Sequence, residues 1–375
     1  MLEQMRYRTI LFVSLGCFLR ASAFAYGPIG HQIVGAVADE RLANTPAGEK
    51  VRALLDGLSL QKAAVIPDEI KGWDKNGADD PNIFHYSSRP GIDAQLRDFW
   101  RANPPTQDHA SAIPSHHWFH YTDVSVLRPQ RYGDGRAGRS EWDIVHAMRD
   151  CIAVLKGDAP EENERKVTKA IAVILLAHFV GDLHQPLHVG AEYFNDAGQA
   201  VDPESDKAAL EDQGGNSIVL RHSPAQAAKI GAASSKLHSF WDTPAVNLNL
   251  PLLPKEMPKE ERRARTDEAR QALVTEFVRQ EPAKWRLPDN VPVGDWPEAW
   301  ANEILPIAKE AHARLRFSNV HAEQEENGDV IATGAAEEQP APDHVPYEEW
   351  AAKVVRDELH KAGWRLADLL QKALQ

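Results

Sequence analysis

Cysteine is nearly absent. The 375 residues contain two, Cys17 and Cys151, so no disulfide framework supports the fold. Basic excess is absent too: 42 Lys+Arg stand against 55 Asp+Glu, a formal charge of −13. That balance disfavours a protein that grips duplex nucleic acid through a broad cationic face. It leaves room for an enzyme whose local positive charge comes from bound metal. Nor is there an apolar run long enough for a mature membrane span or an internal repeat. Hydrophobic residues at 43% and charged residues at 26% are ordinary for a globular chain. The length allows one large domain or two ordinary ones.

The first 25 residues have their own logic. Arg6 and Arg8 precede the apolar run Ile10–Leu19, and Ala23-Phe24-Ala25 has the A-x-A form of a cleavage site. This layout predicts a secretory signal peptide cut after Ala25. The alternatives are an uncleaved anchor, or a lipoprotein modified at Cys17, for which Ser14 and Leu15 make a poor lipobox. Cleavage removes three arginines and one glutamate, taking the charge from −13 to −15. It leaves only Cys151. An exported chain without disulfides needs a good core or metal staples.

Beyond the leader the pattern is helical. Apolar spacing predicts helices over 30–42, 46–58, 142–155, 167–185, 224–242, 258–282, 296–316 and 347–374, with a short one near 94–101. The segment 167–185 is apolar nearly all round, so it should be a central buried helix. Residues 71–121 and 190–216 read mostly as loop, and 321–346, acidic with Gly and Pro, as an exposed loop. A two-stranded hairpin fits around 191–221. The expectation is an all-α, single-domain chain over 26–375 with long loop insertions.

The chemistry lies in where His and Asp gather. In His178-Phe-Val-Gly-Asp182-Leu-His184-Gln-Pro186-Leu-His188, His178 and Asp182 are four apart and share one face of the buried helix. An ionised Asp there costs several kcal/mol unless paired or coordinated. Pro186 should end or kink the helix and bring His188 over the same site. The readings are a metal site or a hydrogen-bonded His–Asp pair. His184 lies at another helical angle, as a structural residue or one behind the ligands. His238 and Asp242 repeat the i, i+4 pairing. His120 sits in Trp118-Phe-His-Tyr-Thr-Asp123, where a stacking histidine is the plain alternative. Asp68 in Ile66-Pro-Asp-Glu-Ile-Lys71 could be an N-cap. His31, close behind Tyr26, could be a lone surface residue.

In this order the set resembles the S1/P1 nuclease family, whose fold and metal site are similar to those of zinc-dependent phospholipase C. The central HFVGDLHQPLH run carries the resemblance. Gly214-Gly215-Asn216, then Leu237-His-Ser-Phe-Trp-Asp242, then a C-terminal helix from His360 follow it. The resemblance implies a mostly helical fold holding three Zn2+ ions. Asp68, His120, His178 and Asp182 would bind one. Asp182 would bridge to a second, held also by His31 and by the amine and carbonyl of Tyr26 as first mature residue. His188, His238 and Asp242 would bind the third. It implies phosphodiester hydrolysis by a water that zinc activates, with Asp68, Lys71 and Asp182 catalytic and Lys71 against the scissile phosphate. Tyr121 and Asp123 would contact a base. The substrate would be single-stranded DNA or RNA, cut endonucleolytically, or a 3′-nucleotide, giving 5′-phosphorylated products. No obligate protein partner and a secreted or periplasmic location are expected.

The chain departs from the family pattern in four places. Tyr26 stands where Trp is usual, and Thr243 where a base-contacting Asn is expected. The segments 72–119 and 189–237 are longer than expected and would border the cleft, narrowing the substrate range or forming a lid. Two other functions compete: a phospholipase C on the same scaffold, and a non-enzymatic, zinc-stapled binding protein.

Overall fold

The structure is a computed structural model describing residues 26–106, 113–127, 131–254, 256–325 and 328–375. The expected signal peptide lies outside the described residues. The helices run in order α1 (Gly27–Leu42), α2 (Pro46–Leu54), α3 (Leu60–Ala63), α4 (Ile66–Glu69), α5 (Pro90–Ala102), α6 (Ile144–Lys156), α7 (Lys169–Leu183), α8 (Pro224–Ile230), α9 (Leu237–Asp242), α10 (Pro244–Asn247), α11 (Lys259–Arg279), α12 (Trp296–Ala313) and α13 (Tyr347–Ala373). The strands are β1 (Val124–Ser125), β2 (Gly190–Ala191), β3 (Tyr193–Phe194), β4 (Leu210–Glu211), β5 (Ile218–Arg221), β6 (Ser234–Lys236), β7 (Leu315–Gln324) and β8 (Val330–Glu338). The fold is mostly helical, with few strands.

Helix α7 is the axis of the molecule. Thr168 caps it by accepting from the Ile171 N–H, and every residue from Ala170 to Leu183 is buried. Its large apolar side chains, Ile171, Val173, Ile174, Leu175, Leu176, Phe179 and Val180 among them, contribute roughly 1.5–3 kcal/mol each on burial. Around it pack α1, α3, α6 and α13. That surplus of apolar burial is what allows His178 and Asp182 to sit wholly inside. The helix stops at Leu183, three residues before Pro186. Gln185 accepts from the Leu187 N–H and starts the 3-10 turn Pro186–His188.

The helical frame is as expected, and the strands go beyond the small hairpin that the sequence suggested. Strands β6-β5-β8-β7 form a four-stranded sheet, with β5 parallel to β8 and its other pairings antiparallel. Much of the stretch 321–346, expected as exposed loop, is strand. The reason is packing: Ile218 and Leu220 of β5 and Ile331, Ala332, Ala335 and Ala336 of β8 are buried. The helix expected over 224–242 is broken by Gly231, which ends α8 in the left-handed region at φ 85°. The chain then runs as β6 before α9 begins. In the region where a hairpin was expected, β3 and β4 pair antiparallel, Tyr193 opposite Glu211.

Candidate metal centre

Six separate elements deliver the site. Helix α7 carries His178 and Asp182 on one face, α4 carries Asp68, and α1 carries His31. A 3-10 turn, His116–His120, ends in His120. The turn after α7 carries His188, and α9 carries His238 and Asp242. All nine-tenths or more buried, these eight side chains form three groups.

In the first, His120 Nδ1 lies 2.9 Å and His178 Nε2 3.2 Å from Asp182 Oδ2. The two ring nitrogens are 3.0 Å apart. Asp68 Oδ1 is 3.8 Å from His178 Nε2 and 2.8 Å from Lys71 Nζ. In the second, His31 Nε2 lies 3.2 Å from the other oxygen, Asp182 Oδ1. The His31 ring stacks on His178 at 3.8 Å between centroids. In the third, His188 Nε2 and His238 Nε2 face each other at 3.0 Å. Asp242 Oδ1 is 3.7 Å from His238 Nε2 and accepts from Gln185 at 2.9 Å.

The back of each ring decides what these contacts are. His188 Nδ1 meets the His120 carbonyl at 2.7 Å, and His238 Nδ1 meets the Gly214 carbonyl at 2.8 Å. A carbonyl only accepts, so both Nδ1 atoms carry the proton and each neutral ring presents a lone pair at Nε2. Burial lowers the His188 pKa; burial and the neighbouring His188 push His238 down to about 3. Two lone pairs facing at 3.0 Å repel unless an electrophile lies between them. His178 is fixed in the same way by the Ala64 carbonyl at 2.6 Å, and its Nε2 faces two carboxylates. Burial opposes a positive charge on His178, but Asp182 and Asp68 outweigh it and raise its pKa. His31 Nδ1 is buried without a hydrogen-bond partner, and His31 Nε2 and Asp182 Oδ1 have only each other, at 3.2 Å. Buried polar atoms in this state cost about 1–3 kcal/mol each.

Burial and neighbouring charges together shift most of these groups toward the protonation states a cation needs. Burial lowers His31 and, with Lys71, holds His120 well below the usual range. Asp68 resists burial through Lys71 and the three nearby histidines and stands at about 2. Asp182, against the same burial, is held well below the usual range by His178, His120 and His31. Neutral imidazole and ionised carboxylate are the ligand forms. Two groups shift the other way: His178 is raised by its carboxylates, and Asp242 is pushed up by burial and then by Asp68 and Asp182, although Gln185 opposes this. The residues therefore fit a buried cluster of cations, and oxygen–nitrogen donors without sulfur suit zinc.

A sequence model of the S1/P1 Nuclease family matches residues 26–375. The chain belongs to the S1/P1 nuclease family. No curated protein matches the chain. Family membership implies a metal-dependent nuclease, a phosphodiester-cleaving hydrolase, with nucleic acid as substrate.

The remaining site residues of the family pattern can be placed in this frame. Lys71, Tyr121 and Asp123 line one cleft with His120, His188 and His238, enclosing about 610 Å3. Burial, then Glu211 and Asp212, push the Asp123 carboxyl well above the usual range. Tyr26 is buried, with its hydroxyl donating to the His184 carbonyl at 2.6 Å. His184 itself bonds the Val180 carbonyl and Arg365, so it serves as a structural residue behind the site. Among the described residues no helix is long and apolar enough to cross a membrane.

Sequence reasoning missed three features. Gln185, inside the recognised run, holds Asp242. Tyr193 and Glu211 line the cleft from the 189–237 insertion. A fourth group joins Asp74 to His116 and His117. Its signal was the His-His doublet, but Asp74 is 42 residues upstream of His116. This group differs from the others in chemistry. His116 Nε2 and His117 Nε2 lie 3.1 and 2.6 Å from the Asp74 oxygens, and Trp100 Nε1 donates to Oδ1 at 2.9 Å. Both carboxylate oxygens of Asp74 thus have protein partners, while His116 Nδ1 is buried without one.

Proposed function

We propose that the chain is a zinc-dependent phosphodiesterase. It hydrolyses single-stranded DNA or RNA and nucleoside 3′-phosphates, and leaves the phosphate on the 5′ side of the product. The observation that carries this reading is the pair of inward lone pairs on His188 and His238, beside a second buried His–Asp cluster and beneath an open cleft. Asp68, His120, His178 and Asp182 would hold one zinc, Asp182, His31 and the Tyr26 backbone a second, and His188, His238 and Asp242 a third; bound zinc would supply Lewis acidity and an activated water.

The chain's own groups do the rest. Lys71, held against Asp68, offers its ammonium to the scissile phosphate and offsets charge that develops there. Gln185 fixes the Asp242 carboxylate. Tyr121 offers a ring for an unpaired base, which a duplex does not expose. Asp123, whose carboxyl burial and then Glu211 push well above the usual range, offers its oxygens to the base edge. The buried walls exclude bulk water and strengthen every one of these contacts.

Export belongs to the same proposal. The chain is read as a signal peptide, 1–25, followed by one catalytic domain, 26–375, acting in a periplasm or outside the cell. Tyr26 has φ 23°, a torsion that non-glycine residues rarely adopt. That torsion is defined through the carbonyl carbon of residue 25. Cleavage after Ala25 abolishes it and frees the amine assigned to a cation. The phospholipase reading has less support: of the exposed large apolar side chains among the described residues, Phe84 alone is aromatic. The test is direct. Zinc-replete protein beginning at Tyr26 should degrade single-stranded DNA, RNA and 3′-nucleotides; leaving all three intact ends the proposal.

A further inference from the structure

A second cavity shares no lining residue with the cleft. It encloses about 500 Å3 between the end of α1, the segment leading into α12, and α13. That volume suits one small ligand. Arg41, Arg286, Arg365 and Lys372 line it against two acids, Asp289 and Asp368. This excess of cations is local, on a chain whose formal charge is −13. Three indoles, those of Trp285, Trp296 and Trp300, complete the wall.

Two donors in this wall lack what their neighbours have. Trp285 Nε1 donates to Glu281 at 2.7 Å, and Trp296 Nε1 to the Val291 carbonyl at 3.1 Å. Trp300 is 1% exposed, and its Nε1 has no hydrogen-bond partner among the described residues. An indole N–H only donates, so nothing but an acceptor satisfies it. The two arginines differ in the same way. Arg365 is taken up by the Trp285 carbonyl, His184 and Glu303. The Arg41 guanidinium lies over the Trp364 ring, 3.3 Å from its centroid, and its Nε is buried without a partner. Stacking occupies the face of a guanidinium and leaves its in-plane N–H groups to an acceptor. Buried donors left in this state are costly, and anionic oxygens satisfy them best. Indole faces, in turn, accept a flat ring. We propose that this cavity binds a small aromatic anion with the chemistry of a nucleoside monophosphate. Its oxygens meet Arg41 and the Trp300 N–H, and its ring meets the indoles. The site is separate from the catalytic cleft and does not depend on the phosphodiesterase reading.

Isothermal titration of the metal-replete protein beginning at Tyr26 with adenosine 5′-monophosphate tests this. A nucleotide also fits the cleft, so two equivalents per chain are expected, and variants tell them apart. Arg41→Gln should weaken one equivalent about 10- to 100-fold, the loss of one charge-assisted hydrogen bond. Trp300→Phe keeps the ring, removes only the N–H, and should weaken the same equivalent about 3- to 10-fold. It carries the test if Arg41→Gln does not fold. Both variants should hydrolyse a nucleoside 3′-phosphate within about threefold of the wild type, because the two sites share no residue. Adenosine alone and inorganic phosphate alone should each bind this site more weakly than the nucleotide. A single equivalent that Arg41→Gln removes supports the cavity and counts against nucleotide binding in the cleft. No binding, binding that neither variant changes, or inorganic phosphate bound as tightly as the nucleotide overturns the inference. Each of these results leaves the phosphodiesterase reading standing.

Discussion

Gly181 sits in the last turn of α7, between the candidate ligands His178 and Asp182. Replacing it with alanine would ordinarily stabilise a helix by about 0.5–1 kcal/mol. Here the new Cβ would lie 2.8 Å from His31 Nδ1 and 3.1 Å from its Cε1. Ordinary contact begins at 3.4 Å, so the ring must give way by about 0.6 Å. It has little room, because it is fully buried and already stacked at 3.8 Å on His178. Metal–ligand distances tolerate only about 0.2 Å. Gly181→Ala should therefore release the cation assigned to His31 and Asp182 and lower kcat/KM about 10- to 100-fold. The metal-free protein should keep its fold. Elemental analysis, 3′-nucleotide hydrolysis and thermal unfolding of the stripped protein together read this out. A variant with full metal content, full activity and a raised Tm would refute the placement of His31 as a ligand.

Other outcomes follow from the same geometry. Asp182→Asn removes the carboxylate shared by His31, His120 and His178. It should cost two cations per chain, measured by elemental analysis, and reduce hydrolysis by at least about 100-fold. Asp74→Asn should leave the metal content unchanged, because that carboxylate is satisfied by hydrogen bonds. Its effect should be on stability, about 1–3 kcal/mol by denaturant unfolding. His312, buried with Nε2 3.2 Å from Asp212, is raised by that hydrogen bond and charge to about 9 despite burial. A raised folded pKa stabilises fully below the unfolded value near 6.5, and the effect is lost as pH rises through about 9. Wild-type stability should thus fall by about 3 kcal/mol between those pH values, and His312→Gln should lack that part of the slope.

The helices and the His/Asp clustering were legible because both are largely local in sequence. Apolar residues at helical spacing mark α1, α6, α12 and α13, and the all-round apolar run marks α7 as the buried axis. His178 with Asp182, and His238 with Asp242, share a face at i, i+4, so two of the three groups are half-assembled within single helices. The sheet was not legible. Strand β8 reads Val-Ile-Ala-Thr-Gly-Ala-Ala-Glu-Glu, with small residues and acids, and its burial comes from pairing with β5 more than a hundred residues earlier. No local periodicity carries that pairing. The same holds for the hydrogen bond from Gln213 to Glu325, which joins residues 112 apart in sequence. Ring tautomers are likewise tertiary facts: the lone pairs of His188 and His238 are fixed by carbonyls of His120 and Gly214.

The inward lone pairs of His188 and His238 and the orphaned buried atoms around Asp182 call for enclosed cations. Elemental analysis of the processed protein, with intact-mass measurement of its first residue, tests this most directly. The account predicts about three zinc ions per chain and a start at Tyr26. One zinc or none, on a folded chain that begins at Tyr26, would contradict it and make the His/Asp clusters largely structural.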